Sequence, residues 1–257
     1  MKPVVVANWK MQLSQADSVA RLTELRIGLK DFGYQVHVVV APTFIALERA
    51  KETLITSKIQ LGAQDMFWAE QGAYTGEVSP TQLKEIGVSH VILGHSERRE
   101  FLGETDSMVA QKVESAMAHG LTPIICVGET AHQRNDNIHE MVIVQQLERA
   151  LQCTTPPSEN QMVLVAYEPM WAIGTGEPAA PAQAELMRQV IVRTLQEKFG
   201  PELTAHRCGV LYGGSVDAQN ITNYVRPDSY NGALVGGAGL QPASFMALLT
   251  SVKQQFT

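Results

Sequence analysis

The stretch HVILGHSERR, from His90 to Arg99, contains the pattern on which our fold prediction rests. Its first four residues form a short, mostly apolar run, which is typical of a buried strand. The run ends at Gly94, and His95 then opens a predicted helix that begins with polar residues. A strand followed directly by a helix is the repeating unit of α/β proteins with a parallel sheet.

Seven further runs rich in valine and isoleucine occur along the 257 residues, with helical patterns between them. They are continuously apolar rather than alternating, which is typical of parallel strands covered on both faces. The eight predicted strands are Val4–Ala7, Val36–Ala41, Ile59–Ala63, His90–Leu93, Pro123–Val127, Met162–Tyr167, Cys208–Tyr212 and Ala233–Val235.

Helix boundaries are predicted from capping residues. Ser14 is expected to cap the first helix, which we expect to close near Gly33. Thr105 or Asp106 is expected to cap a later helix, and the last helix is expected to begin at Pro242.

Eight strand–helix units in a chain of this length predict one single-domain (β/α)8 barrel, the TIM barrel, with eight parallel strands over residues 1–257. A doubly wound open sheet has the same alternation and is the alternative. Because no glycine/serine-rich linker, low-complexity tract or charge block divides the chain, one domain is the better interpretation.

Composition excludes several classes of partner. The net charge is −6 and no cluster of five or more Lys and Arg occurs, so nucleic acid and anionic membranes are poor candidates. The three cysteines, Cys126, Cys153 and Cys208, form no CxxC motif and indicate a reducing compartment. The apolar run Val4–Ala7 is too short for a signal peptide, and no run reaches the length of a membrane span. We therefore expect a cytoplasmic protein.

Functional groups of a (β/α)8 barrel lie where the strands end. The early strands are followed by polar side chains and the late strands by glycine turns that open onto helices. In chain order these residues are Asn8, Lys10, Gln64, His95, Glu129, Glu168, Gly213, Gly214, Ser215, Gly236 and Gly237.

The glycine turns YGGSV (212–216) and VGGAGL (235–240) predict a phosphate site. Glycines before a helix let backbone N–H groups approach an anion, and the region after strands 7 and 8 is a frequent phosphate site in such barrels. The alternative is that these glycines only permit tight turns. No dinucleotide fingerprint or P-loop sequence occurs.

The stretch AYEPMWAIGTGE (166–177) places Glu168 at a strand end, before an apolar loop that contains two glycines. A carboxylate there can act as a general base, and a loop that expels water would tune its basicity. The alternative is an ion-paired structural glutamate.

His95 follows a strand and begins a predicted helix, whose N-terminus disfavours a protonated ring. A neutral imidazole could donate to a developing oxyanion, with Lys10 and Asn8 aimed at the same oxygen. A structural histidine is the alternative, and a Schiff-base role for Lys10 is disfavoured because nothing nearby would lower its pKa. His132 and His139 lack metal-site spacing and are expected to be solvated, so we predict no metal site.

Several motifs together closely resemble the triosephosphate isomerase family, in order and at matching strand ends from Ala7 to Ala238. They are ANWKM, GAQD, AYTGEVS, ILGHSERR, CVGET, AYEPMWAIGTG, LYGGSV and GALVGGA.

The resemblance implies interconversion of dihydroxyacetone phosphate and glyceraldehyde 3-phosphate without cofactor or metal. Glu168 would be the base and His95 the electrophile, assisted by Lys10 and Asn8. The supporting residues would be Glu97, which pairs with Lys10, and Ser96. Phosphate-binding residues would be Gly174, Ser215, Gly236 and Gly237.

The resemblance also implies a lid and a homodimer. The lid would consist of Pro169, Met170, Trp171, Ala172, Ile173, Gly174, Thr175, Gly176, Glu177 and Pro178. Gln64 and Thr75 would contact the partner subunit.

The chain departs from the family pattern at both lid hinges and beside the strand ends. Met170 stands where Val is usual, and Glu177-Pro178 where Lys and a small hydroxyl residue are common. Asp65 stands where Asn is commoner. We expect altered lid kinetics with intact chemistry. Alternatives are a phosphosugar aldolase, a metal-dependent epimerase, or a catalytically silent phosphate-binding barrel.

Overall fold

Eight parallel strands form one closed barrel and hydrogen-bond in sequence order in a computed structural model that describes residues 1–33, 35–159, 161–173 and 177–256. The predicted (β/α)8 fold is confirmed, and the doubly wound alternative is wrong. The strands are β1 Val4–Asn8, β2 His37–Ala41, β3 Gln60–Ala63, β4 His90–Leu93, β5 Thr122–Val127, β6 Val163–Tyr167, β7 Cys208–Tyr212 and β8 Gly232–Val235.

The described α-helices surround the barrel. They are α1 Gln15–Gly28, α2 Leu47–Thr53, α3 Pro80–Ile86, α4 Ser96–Leu102, α5 Asp106–Ala118, α6 Ala131–Asn135, α7 His139–Ala150, α8 Pro181–Phe199, α9 Pro201–Arg207 and α10 Pro242–Gln255. Short 3-10 turns at Met170–Ala172 and Gly237–Gly239 lie where strand ends need a bend.

Both faces of the strands are buried, which explains why the strand sequences do not alternate between apolar and polar residues. One set of residues fills the barrel interior, and the residues between them pack outward against the helices. The interior set includes Val6, Val39, Ile92, Ile124, Leu164, Leu211 and Leu234.

The helix boundaries follow the prediction at three of the four sites, and α10 begins at Pro242 as predicted. The side chain of Ser14 accepts a hydrogen bond from Asp17 N, and that of Thr105 accepts one from Met108 N. The predicted closure of the first helix near Gly33 is wrong, since α1 ends at Gly28. After that residue the backbone bonds tighten into three-residue turns, beginning with Lys30 N to Ile27 O, and the chain leaves the helical path early.

Strand boundaries agree with the predictions to within one residue at each end. Val36, Ile59 and Met162 fall just outside their strands, whereas Asn8 extends β1 by one residue. No described helix has the length and apolar character needed to cross a membrane.

Candidate active site

The carboxyl ends of the strands surround a cavity of about 500 Å³. It brings together residues that are widely separated in the sequence. The predicted site residues that line it are Asn8, Lys10, His95, Ser96, Glu97, Glu168, Met170, Ile173, Ser215, Gly236 and Gly237.

Glu168 is buried where β6 ends, and two donors face its carboxylate. The backbone N–H of Ser96 donates to Oε2 at 2.8 Å, and His95 Nε2 lies 3.2 Å from Oε1. The Glu168 backbone N–H donates to Val127 O at 2.8 Å, which fixes the strand end against β5. The carboxylate therefore rests on hydrogen-bond donors that face the cavity.

His95 is the N-cap residue of α4, and its ring is buried. The backbone N–H of Glu97 donates to Nδ1 at 3.3 Å. A ring nitrogen that accepts a hydrogen bond carries no proton, so the proton of a neutral imidazole lies on Nε2. That nitrogen is the one directed at Glu168.

Lys10 has a left-handed backbone with φ of 48°, which costs about 1–2 kcal/mol for a residue other than glycine. Three contacts hold it in place. Its N–H donates to Asn8 Oδ1 at 3.0 Å, its carbonyl accepts from Gln64 Nε2 at 2.9 Å, and its Nζ lies 2.6 Å from Glu97 Oε1. The ammonium group is thereby directed at the cavity.

The glycine turn after β8 leaves space beside Lys10. A Cβ built on Gly237 would meet no atom within 4 Å, and one built on Gly236 would lie 3.5 Å from Lys10 Cε. Trp9 Nε1 donates to the carbonyl of Gly239 at 2.8 Å and ties the turn to β1. Backbone N–H groups at this turn are therefore accessible to a small anion.

Comparison with known families accounts for this combination of residues. A model of the family described as Triosephosphate isomerase matches residues 3–252. The chain belongs to the triosephosphate isomerase family. The resemblance read from the sequence motifs is confirmed.

Curated triosephosphate isomerases resemble the chain over nearly its full length. That of Thermoanaerobacter sp. (strain X514) is 43% identical over 248 residues, which is 96% of this chain and 98% of the relative. That of Carboxydothermus hydrogenoformans is 45% identical over 249 residues, again 96% and 98%. That of Chloroflexus aurantiacus is 42% identical over 247 residues, with the same coverage.

In this member of the triosephosphate isomerase family, the segment after Glu168 is anchored by Glu129, a fully buried carboxylate. Glu129 Oε1 accepts hydrogen bonds from Trp171 Nε1 at 2.8 Å, Tyr167 OH at 3.0 Å and Arg134 Nη1 at 2.7 Å. The Arg134 guanidinium also lies 5.0 Å from the Trp171 ring centroid. The sequence placed Glu129 at a strand end but gave no indication of this role, because its partners lie up to 42 residues away.

The far end of the same segment is anchored by two tyrosines that sequence analysis missed. Tyr212 OH accepts a hydrogen bond from Ala179 N at 3.1 Å, and Tyr224 OH donates to Ala179 O at 2.6 Å. The two rings stack with centroids 4.0 Å apart. Burial raises the pKa of Tyr212 well above its usual range, so its hydroxyl stays protonated. In the sequence, only the position of Tyr212 beside a glycine turn pointed to a role for this residue near the site.

Of the remaining predicted site residues, Ser215 and Thr75 belong to the part of the chain that the structure describes. Ser215 Oγ donates to Ala172 O at 3.4 Å, which joins the β7 turn to the predicted lid. Thr75 lies exposed on the loop after β3 and does not line the cavity. Gly174, Thr175 and Gly176 lie outside the described residues.

The predictions for two histidines have definite outcomes, and the structure also locates Cys126. Cys126 is buried in the barrel interior, and burial raises the pKa of its thiol well above the usual range. The side chain of His132 is 86% exposed, as predicted. The prediction that His139 is solvated is wrong, because its ring is half-buried and its Nδ1 makes no hydrogen bond to any described residue. Within the described ranges, no group of three or more metal-ligating side chains could hold an ion.

Proposed function

We propose that the protein interconverts dihydroxyacetone phosphate and D-glyceraldehyde 3-phosphate by proton transfer through an enediolate. Glu168 is the base and His95 the neutral electrophile, a pairing for which triosephosphate isomerase is itself the standard example. The observation that carries the proposal is the 3.2 Å approach of His95 Nε2 to Glu168 Oε1 in one cavity with Lys10. No cofactor or metal is needed for this chemistry.

Glu168 must leave its resting contacts before it can act. The Ser96 N–H and the His95 ring occupy both oxygens of the carboxylate, so the carboxylate must turn away from them to reach a proton of the substrate. Once substrate lies between the two side chains, the Glu168 carboxylate removes a proton from C1 of the ketose, the hydroxyl proton on O1 passes to O2, and Glu168 returns the carbon proton to C2. The freed Nε2–H of His95 then donates to the substrate oxygen that gains charge, and each such donor contributes about 10²–10³ in rate.

Lys10 and Asn8 supply a cation and an amide donor at the same oxygens. Glu97 keeps the Lys10 ammonium aimed at the cavity, and Ser96 holds the resting base. The substrate phosphate lies on N–H groups of Gly174, Ser215, Gly236 and Gly237.

The segment from Pro169 to Pro178 acts as a lid over the enediolate, whose phosphate could be eliminated if the intermediate escaped. The anchors at Glu129 and Ala179 support this role, since they hold Trp171 near the start of the segment and Ala179 directly after its end. We retain the prediction that Met170 and Glu177-Pro178 change the rate of lid opening; a Val-hinged, Lys-hinged variant with an unchanged opening rate would contradict it.

We propose further that residues 1–257 form one domain, that the protein is a cytoplasmic homodimer, and that Gln64 and Thr75 contact the partner subunit. Exposed aromatic side chains support an interface, since Tyr74 on the loop after β3 is 49% exposed and Phe101 at the cavity rim is 71% exposed.

Coupled turnover of glyceraldehyde 3-phosphate by the wild type and by Glu168→Gln tests the proposed reaction. The variant keeps the shape of the side chain and loses the base, so we expect its turnover rate to fall by about 10³-fold or more. A wild type that binds phosphoglycolate, as judged by a raised melting temperature, yet turns nothing over would be a silent phosphate-binding barrel. The aldolase alternative is disfavoured because the β6 end carries Glu168 instead of a lysine.

A further inference from the structure

A cluster of three buried charged side chains and one partly buried arginine, Arg98, which is 28% exposed, lies behind the early strand ends and outside the cavity. Lys112 Nζ lies 2.8 Å from Asp65 Oδ1 and also pairs with Glu104. Arg98 Nη2 lies 2.9 Å from Asp65 Oδ2, and Arg98 Nε lies 3.4 Å from Glu104 Oε2 without hydrogen-bond geometry. The side chains of Asp65, Glu104 and Lys112 are at most 5% exposed. The two negative charges of the acids are neutralised by the two positive charges of the bases, which allows the charged groups to remain buried.

Two members of this cluster are chain neighbours of the residues that hold Lys10. Asp65 follows Gln64, whose amide donates to the Lys10 carbonyl at 2.9 Å. Arg98 follows Glu97, whose carboxylate lies 2.6 Å from Lys10 Nζ. The Asp65–Arg98 ion pair therefore joins the two segments that hold Lys10 from its backbone and from its side chain.

The same cluster reaches the backbone beside His95. Glu104 Oε2 accepts a hydrogen bond from the Gly94 N–H at 3.2 Å. Gly94 has φ of 72°, and its position sets where the chain enters α4. The loop after β3, the end of β4 and the start of α4 thus share one set of buried charges.

We propose that the Asp65–Arg98 ion pair positions Lys10 for the reaction. The ion pair fixes the loop after β3 against α4. Gln64 and Glu97 then hold the Lys10 backbone and ammonium group in place, which the strained Lys10 backbone would not do by itself. Asp65 and Arg98 are positioning residues, since neither lines the cavity. This inference rests on the proposed function, because it concerns the same site.

The Asp65–Arg98 ion pair depends on pH, because it requires the Asp65 carboxylate to be charged. The pKa of Asp65 is raised to about 6, mainly by burial and also by Glu104, although Lys112 and Arg98 act to lower it. These are the charged groups that face Asp65, from α4, from α5 and from the connection between them. The ion pair is complete above pH 7 and is lost as Asp65 takes up a proton below pH 6.

The variant Asp65→Asn tests the proposal because it keeps the shape and removes the charge. We would measure kcat/KM of both proteins from pH 5 to 8 and take their ratio, which cancels titration of the substrate phosphate. We expect the wild type to exceed the variant by about threefold to tenfold at pH 8. The ratio should fall to about one at pH 5 with a midpoint near pH 6, mostly through KM.

Asp106→Asn is the matched control. Asp106 Oδ1 lies 2.5 Å from Nη1 of Arg99, the neighbouring arginine on α4, but Asp106 and Arg99 adjoin neither Gln64 nor Lys10. Its ratio to the wild type should not change with pH. The proposal would be overturned if the kcat/KM ratio of wild type to Asp65→Asn did not change with pH. It would also be overturned if the ratio for Asp106→Asn changed with pH to the same extent.

Dissociation constants for phosphoglycolate, compared in the same way, give a second readout that needs no turnover. They separate the two proposals. A wild type without turnover contradicts the proposed function, whereas a flat ratio of dissociation constants contradicts the positioning role. Thermal melts of the three proteins at each pH show whether folding accounts for a difference.

Discussion

The two halves of the cavity rim are built differently. At the ends of β1, β3 and β4 the site consists of charged and polar side chains, each held by an ion pair or a hydrogen bond, as Lys10 is by Glu97 and Gln64. At the ends of β7 and β8 it consists of glycine turns, and the turn after β8 has open space, since a Cβ built on Gly237 would meet no atom within 4 Å. The early half of the rim presents charged and polar side chains to the cavity, and the late half presents backbone groups.

The difference follows from what each half is proposed to hold. An enediolate oxygen gains charge during the reaction, so it needs donors fixed in position before that charge appears. A phosphate keeps its charge throughout and can be held by backbone N–H groups, provided that no side chain occupies the space. We therefore expect the early half to be sensitive to the loss of a charge and the late half to the addition of a methyl group.

Removal of the Lys10 charge should give the largest effect. Lys10→Met keeps much of the side-chain length but leaves the oxyanion without its cation, so we expect kcat/KM to fall by about 10²–10³. Steady-state kinetics would measure it. Lys30→Met, in the exposed turn that follows α1, is the control and should change nothing. A loss in Lys10→Met below tenfold would mean that the early half does not act through this charge.

Addition of a methyl group should separate binding from folding in the late half. Gly237→Ala has room for its Cβ, so we expect an unchanged melting temperature and a KM raised by about tenfold, equivalent to about 1.4 kcal/mol. Gly232→Ala is the contrasting variant at the closure of the barrel. Its φ is 154°, and its Cβ would lie only 1.8 Å from Val4 O.

We expect Gly232→Ala to lose about 3 kcal/mol of stability, which urea unfolding would measure. A Gly237→Ala variant with normal KM would show that the turn after β8 does not contact the phosphate.

His90 is buried at the start of β4, away from the strand ends that form the cavity rim, and it makes no ion pair with any described residue. Burial, with a smaller contribution from His37, lowers the pKa of His90 from 6.5 to about 4. Between those values the unfolded chain binds more protons than the folded one, so stability falls as the pH falls. His90→Gln should remove this decline, which amounts to about 2 kcal/mol at pH 5.

Urea unfolding at pH 7 and pH 5 would measure the His90 effect, with the exposed His132→Gln as the control. Asp65 acts in the opposite direction, because its raised pKa lets the folded state bind the extra proton between about pH 6 and 3.8. Equal slopes for the wild type and His90→Gln would show that His90 does not titrate on unfolding.

The strands were predictable because burial on both faces leaves a local record in the sequence. Each apolar run is read without knowing its partner, which is why the eight predicted strands lie within one residue of those in the structure. The end of α1 was not predictable in this way, because Gly33 is a suitable closing residue but the helix turns away five residues earlier.

The positions of the candidate site residues were predictable from the ends of those strands, whereas their supporting contacts were not. Nothing near Glu129 in the sequence indicates that it accepts from Trp171, and nothing near Ala179 indicates Tyr212. Those pairs depend on the register in which the barrel closes and on how the loops cross its rim.

The sequence by itself determined the barrel, the order of groups around its rim and the resemblance to the triosephosphate isomerase family. These depend on short-range patterns and on motifs of adjacent residues. Only the tertiary structure decided that Asp65 meets Arg98 and that Gln64 meets the Lys10 carbonyl. Such contacts join segments 33 and 54 residues apart, because the closed parallel sheet brings distant strand ends within hydrogen-bond distance.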